Sequence, residues 1–470
     1  MFHDKHAMSA STGTQSKISV FQTVFRFIPR ACLIFLAICL YCFLCTKIGL
    51  DAHAGGPDEG MRSLIPRCIV NGNFFPSGFD DCATYHLGYW SYAFYPQMLA
   101  AYLSSFFMGI AKLLGCTDSG VFVCGRLASV CFGAICLLAV GSAVSALFRE
   151  SRYREILACF VVVLLGFWPQ FAFLSSYMNN DIAALAGVSL LILALIRGLK
   201  FGWSLRNVMI LCLGMVIAGL GYWNAYGFIL TAAVLFVATA LNQHRGNWKS
   251  ALRLISGAVG LCSLCMLPFF IANFIRYGDF IGIGAFHDRY IQWLMDGGEQ
   301  LQHPWTEGWK NLLTGSVFVQ WTVESFIAVF GYMTTWMPYM VYLFYIVVMS
   351  VGVGLFLGRW REWGRNRYSL ALIVAMLAAC IITVSLFLYY TFQVDYQPQG
   401  RYIIYLLIPL VLAVTSGIGR SMAGNARVLS SITIVLFMIC YMALCLWCFH
   451  HAIAVTGWDG VHWELESEPL

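Results

Sequence analysis

Eleven stretches of roughly 20 apolar residues, separated by short polar connections, constrain this chain more than any other feature. They fall at 29–49, 121–147, 155–175, 182–197, 207–223, 226–241, 254–275, 338–358, 369–390, 402–418 and 428–449. A run of that length crosses the hydrocarbon core of a bilayer as a helix, because a helix satisfies its own backbone hydrogen bonds where water is absent. Hydrophobic residues make up 60% of the 470 and charged ones 11%, with a mean hydropathy of +0.75. A soluble domain carries about a quarter charged residues, so that class is excluded. The fold expected is an all-α polytopic membrane protein with about 11 transmembrane helices. The first apolar run lacks a small-residue cleavage site after it and is expected to stay as a helix.

A further apolar segment, 92–114, decides orientation: as a full span it would invert everything downstream. Charge argues against that. With 92–114 as a juxtamembrane or re-entrant helix, the N-terminal tail and the connections near 148–155, 197–206, 242–253, 359–367 and 419–427 share one side. They hold 19 of the 28 Lys and Arg residues and four of the 22 acids. Short basic loops face the cytoplasm, which gives N-in, C-out. The net charge of +6 is then a membrane asymmetry, with no implication of nucleic acid.

The organisation that follows is a cytoplasmic tail (1–28), a transmembrane module (29–275) containing a long external loop (50–120), a second external loop with an interfacial helix (276–337), C-terminal transmembrane helices (338–449) and an external tail (450–470). Two loops this long are expected to carry the site and juxtamembrane helices. Most of the 18 cysteines lie inside apolar runs as small hydrophobes. Cys68 and Cys82 share one external loop and suit a bridge in an oxidising exterior.

Several outer-face motifs carry candidate chemistry. Gly55-Gly56-Pro57-Asp58-Glu59 puts two carboxylates on a stiff turn just beyond the first run, suited to a positioned acid or base. Asn179-Asn180-Asp181 sets Asp181 at the membrane edge, where a carboxylate needs a partner or a hydrated cavity; capping of the next helix by Asn180 or Asp181 is a compatible reading. Gln397-Pro398-Gln399-Gly400-Arg401-Tyr402 opens a late span, with an arginine whose fork matches phosphate oxygens and which could equally snorkel to headgroups. Glu324 interrupts an apolar stretch (315–333) and could meet a cation or a sugar hydroxyl. Arg62, Arg67, Lys112 and Arg126 lie near the same face, and Arg126, inside a span, requires an acid or an anionic ligand. His53, His86, His287 and His303 have no spacing that specifies a metal. No Walker loop, GxSxG elbow or HExxH is present.

In order, Pro57-Asp58-Glu59, Tyr95-Pro96, Gly125-Arg126-Leu127, Asn180-Asp181, Arg276-Tyr277-Gly278-Asp279, Ser325-Phe326 with Phe330-Gly331-Tyr332, and Gln399-Gly400-Arg401-Tyr402 resemble a bacterial membrane family in the GT-C clan of integral-membrane glycosyltransferases. Better-known members of that clan are protein O-mannosyltransferases and aminoarabinose lipid A transferases. The resemblance covers nearly the whole chain. It departs at Arg62, where the family usually has histidine, and at Ile327, where it has tryptophan.

The resemblance implies a GT-C-like fold and an inverting transferase that takes sugar from a polyprenyl-phosphate donor to a cell-envelope glycan, lipid or protein on the extracytoplasmic face of a bacterial inner membrane. Asp58 would be the base, with Glu59 second. Donor and phosphate binding would fall to Arg401, Arg126, Tyr402 and Arg62, and further substrate contacts to Asp181, Asn180, Tyr95, Glu324 and Gln399. The resemblance specifies no certain cofactor. A divalent metal (Mg or Mn) on Asp58, Glu59 and Asp181 stays open, since sequence spacing cannot fix carboxylate geometry. The rivals are a lipid-linked glycan transporter or flippase, which would place ionisable groups at mid-span near broken helices, and an O-antigen ligase or polymerase.

Overall fold

The computed structural model describes residues 30–51, 55–422 and 427–455. The N-terminal tail (1–28), His53 and residues 456–470 of the C-terminal tail lie outside them. In chain order the main helices are α1 (Arg30–Asp51), α2 (Glu59–Val70), α3 (Leu99–Leu113), α4 (Asp118–Gly125), α5 (Leu127–Leu147), α6 (Arg154–Gly166), α7 (Pro169–Leu174), α8 (Asp181–Phe201), α9 (Leu205–Gly219), α10 (Tyr226–Gln243) and α11 (Trp248–Tyr277). There follow α12 (Ile283–Met295), α13 (Phe318–Ile327), α14 (Tyr339–Leu357), α15 (Arg367–Gln393), α16 (Leu407–Ser421) and α17 (Arg427–Val455). Among the described residues the strands are one short antiparallel hairpin, β1 (Val329–Phe330) with β2 (Thr335–Trp336).

The protein is an all-α polytopic membrane protein. Nine helical segments among the described residues are long and apolar enough to cross a bilayer, against eleven expected runs. Local breaks account for the difference. Trp168, preceding Pro169, is held extended (φ −73°, ψ 119°), so the run over 155–175 divides into α6 and α7. The run over 207–223 ends as a helix at Gly219, and α9 has 15 residues. The segment 92–114 yields α3, also 15 residues, too short to span, after an irregular stretch through Met98. The expected interfacial helix over 315–333 is shorter too: it stops at Ile327, and Gly331 and Met333, at φ 62° and 61°, turn the chain back as the hairpin.

The bundle forms around α8, of which 94% of the apolar window is buried, whereas the figure for α11 is 6% and that helix is peripheral. α8 packs against α5, α9 and α10, and a side chain at Gly187 would stand 2.4 Å from the Ala218 nitrogen. Small residues allow such close approach where lipid supplies no hydrophobic drive between helices.

The two long loops meet over one end of this bundle. Cys68 and Cys82 form a disulfide within the first. The Tyr277 hydroxyl accepts from the Gly78 amide (2.9 Å), Asn273 Nδ2 donates to the Phe94 carbonyl (2.7 Å), and Trp90 stands edge-on to Phe286.

Candidate active site

Asp58, Asp181, Tyr222 and Arg401 all sit at the same end of the bundle. Asp58 follows α1 and immediately precedes α2, Asp181 is the first residue of α8, Tyr222 lies between α9 and α10, and Arg401 is in the 3-10 turn Gly400–Leu406 that leads into α16. Sequence positions 343 apart are thereby joined: Arg401 Nη2 donates to Asp58 Oδ2 at 2.7 Å. Arg401 Nη1 also reaches the Pro57 carbonyl (3.4 Å), and Nη2 the Tyr402 hydroxyl (3.3 Å), which itself donates to Gln397 (2.8 Å).

Local sequence explains this placement. Asp58 has φ 63° and ψ 4°, the left-handed region, which aspartate tolerates better than most residues and which turns its carboxylate toward Arg401. Gly56 lets the loop lie against Tyr177, whose ring carbons would be 2.3 Å from a Cβ there. Gly400 plays the matching part opposite: a Cβ would stand 2.2 Å from the Phe326 nitrogen, and the Gly400 amide donates to Ser325 Oγ (2.7 Å). The Ser325-Phe326 and Gln399-Gly400-Arg401 motifs are therefore two sides of one contact.

A second guanidinium completes the cluster. Arg62, one turn into α2, is 6% exposed and lies over the Tyr92 ring (4.0 Å) and Tyr222 (5.5 Å). Its Nε and Nη1, like Arg401 Nε, have no hydrogen-bond partner among the described residues. A buried cation left this way is costly unless an anion or water occupies the space beside it. A small cavity of about 20 Å³, room for about one water, lies beside Arg62 and is lined also by Tyr92, Gln97 and Asn180.

Burial pushes the Asp58 carboxyl up, but the Arg401 and Arg62 guanidiniums beside it outweigh burial and hold it below the ordinary carboxylate range. Tyr92 is raised by its burial and by the Asp58 charge, so it stays protonated beside Asp58. Asp181 accepts from the Tyr405 hydroxyl (3.2 Å) and lies in the field of Arg401 and Arg62.

Other expected residues are placed elsewhere. Glu59, 1% exposed, is gripped by Arg126 through Nε and Nη2 (2.8 Å each) and accepts from the Met178 amide (2.9 Å) and the Gly56 amide (3.3 Å). Arg126 Nη1 donates to the Gly49 carbonyl (2.6 Å). Of the two partners open to Arg126, an acid or an anionic ligand, the structure supplies the acid, so Glu59 and Arg126 form a bracket beside the cluster. Glu324 accepts from Gln320 on its own helix (3.1 Å), away from Asp58. Asn179, not Asn180 or Asp181, caps α8 by accepting from the Ile182 amide (3.0 Å), while Asn180 Nδ2 holds the Gln97 carbonyl (2.9 Å). Tyr95 stands in an aromatic wall with Trp223 and Phe286, and Gln399 donates to Gln397 (3.0 Å).

Asp58, Glu59 and Asp181 do not fit a shared metal ion. Glu59 is saturated by Arg126 and backbone amides, and two guanidiniums share the space of the aspartates. Among the described residues no group of three or more His, Cys, Asp or Glu could hold one.

Tyr92, Tyr222 and Tyr405 escaped the sequence reading. Tyr405 had a usable signal, lying four residues after Arg401 and so about one turn along, but tyrosines at membrane edges are common as interfacial anchors.

No family model matches the chain, and no curated protein matches it either. Among solved structures it is similar to ArnT from Cupriavidus metallidurans in the apo state (16% identity, 89% of this chain and 61% of that one, TM-score 0.45). The same enzyme bound to undecaprenyl phosphate gives 16% identity, 90% and 70% coverage and a TM-score of 0.48. The apo oligosaccharyltransferase of Archaeoglobus fulgidus gives 14%, 91% and 56%, and 0.48. The chain thus spans 61% of the first of these proteins. At such values the site is interpreted from its own geometry.

Proposed function

We propose that the chain is a GT-C-type glycosyltransferase that moves a sugar from a polyprenyl-phosphate donor to a hydroxyl of a cell-envelope glycan, lipid or protein, at the extracytoplasmic face of a bacterial inner membrane. The observation that carries this reading is the Asp58–Arg401 pair, 2.7 Å apart at the end of the bundle covered by the two long loops, with the under-bonded Arg62 beside it. An acid and two cations at membrane-edge depth suit a reaction between a lipid-borne phosphate ester and a hydroxyl.

In that reaction the acceptor oxygen attacks the anomeric carbon, the bond from that carbon to the phosphate oxygen breaks, and the carrier leaves as polyprenyl phosphate. Asp58 takes the hydroxyl proton. Arg401 and Arg62 receive the charge that develops on the leaving phosphate, so no acid is needed to protonate it. A single displacement inverts the anomeric centre.

Paired with Arg401, Asp58 is a weak base. A donor phosphate that draws the guanidinium toward itself loosens that pair and lets burial raise the basicity of Asp58, so donor binding arms the base. Tyr92 and Tyr402 orient the two charged groups, and Asp181 with Tyr405 is placed to meet sugar hydroxyls.

A transporter reading gains less support, because the ionisable cluster is at the bundle end and not at mid-span. The test is to incubate the purified protein with a panel of polyprenyl-phosphate sugars and envelope acceptors and to measure freed polyprenyl phosphate. Release from at least one donor, dependent on acceptor, is expected; release from none, with lipid movement across vesicles instead, contradicts the proposal.

A further inference from the structure

A cavity of about 510 Å³ opens between α1, α5, α6 and α8 at the end of the bundle opposite the Asp58–Arg401 pair. Along α8 the two ends are about 30 Å apart, the length of a 21-residue helix. Three arginines line it, Arg149, Arg154 and Arg197, together with the hydroxyls of Ser142 and Ser145. Nothing in the transfer chemistry uses them.

The arginines are partly organised in advance. Arg197 Nε donates to Asn207 Oδ1 (2.9 Å), which fixes the plane of its guanidinium and leaves its Nη groups for another partner. Arg149 and Arg197 stand over the Phe201 ring at 5.2 and 5.9 Å. Arg154 pairs with Glu155 (2.9 Å), yet its Nε is buried with no hydrogen-bond partner among the described residues. Lys200 is engaged by the Ala146 and Leu147 carbonyls (2.9 Å each), fixing the C-terminal end of α5 beside the cavity.

The rest of the wall is apolar and faces sideways. Ile34 and Leu138 line the cavity, Leu138 is 54% exposed, and neighbouring Phe35 is 70% exposed, on the surface that meets lipid tails. Guanidiniums match phosphate oxygens in a fork, and basic pockets between helices at the membrane edge select anionic headgroups. A free phosphate would leave the apolar wall unused.

We propose that this cavity binds an anionic phospholipid, its phosphate between Arg149, Arg154 and Arg197 and an acyl chain along Ile34 and Leu138. The site is independent of the transfer reaction.

Native mass spectrometry of the full-length protein tests it, titrating phosphatidylglycerol and phosphatidylcholine separately, each with and without millimolar inorganic phosphate. Phosphatidylglycerol is expected to bind at least tenfold more tightly than phosphatidylcholine and to resist displacement by phosphate. The double variant Arg149→Gln/Arg197→Gln should lose about tenfold or more of that preference. Ser142→Trp, which fills the cavity and keeps every arginine, should lose it too, and it decides alone if the double variant melts early in phosphatidylcholine. Equal binding of the two lipids, displacement by phosphate alone, or full retention in Ser142→Trp overturns the proposal.

Discussion

At the scale of single residues, the account turns on one carboxylate held by one guanidinium. The folded pKa of Asp58 lies below its ordinary value of about 3.9, so its charge contributes stability at all pH above that value and loses the contribution as pH falls through the lower, folded one. If Asp58 must be ionised to act, the acid limb of kcat/KM in the wild type falls below the ordinary carboxylate range. Arg401→Gln removes the stronger of the two opposing charges and leaves burial in place. The limb should then move to higher pH and activity should fall about 100-fold or more. A pH profile of both proteins checks this; an unshifted limb dissociates Asp58 from the base role. Asp58 and Arg401 were both candidates in the sequence, Asp58 as an acid on a stiff Gly-Pro turn and Arg401 through the outer-face acids that accompany it, since an arginine opening a span could equally snorkel to headgroups. Their mutual contact was not legible there, since nothing local in a chain records a pairing across 343 positions.

Elements show why two adjacent acids have different fates. Asp58 precedes α2 in a left-handed turn and Glu59 begins the helix, so their side chains diverge, one to Arg401 and the other to Arg126. Sequence reasoning grouped them because adjacency was all it could see. The Glu59–Arg126 bracket ties the start of α2 to the end of α1, the start of α5 and the turn before α8. Glu59→Gln leaves a buried guanidinium without its counter-charge and should cost about 3–5 kcal/mol, read as a clear fall in Tm. Asp58→Asn likewise removes the counter-charge of a buried guanidinium, Arg401, but the Asp58 side chain is 23% exposed and water there takes up part of the charge, so Tm should fall less. Gly400→Ala makes the complementary test on the other side, where the added methyl meets backbone of α13. A loss of about 1–3 kcal/mol and displacement of Arg401, read as reduced activity together with reduced Tm, is expected. Unchanged Tm in both Glu59→Gln and Gly400→Ala would contradict the bracketing described.

For the molecule as a whole, apolar run length correctly conveyed an all-α membrane bundle; of the two long loops the first supplies Asp58, Arg62 and Tyr92 to the cluster, while Asp181 and Arg401 come from helix ends outside both. Run length overstated the number of full-length helices, because hydropathy continues through breaks such as Trp168-Pro169 that end a helix without ending an apolar run. Orientation rests on the basic connections. In a background lacking exposed native cysteines, Ser119→Cys and Glu150→Cys, at opposite ends of the α4–α5 span, should label from opposite sides, Ser119→Cys from outside in intact cells and Glu150→Cys after permeabilisation. Outward labelling at 150 would invert the bundle and put the Asp58 end in the cytosol. The most direct measurement of the central claim is acceptor-dependent release of polyprenyl phosphate by wild type and Asp58→Asn, with Tm and donor binding followed in the same preparations. The account predicts a loss of about 10²–10⁴-fold in kcat/KM with the fold and donor binding retained; turnover at the wild-type rate in Asp58→Asn would contradict it.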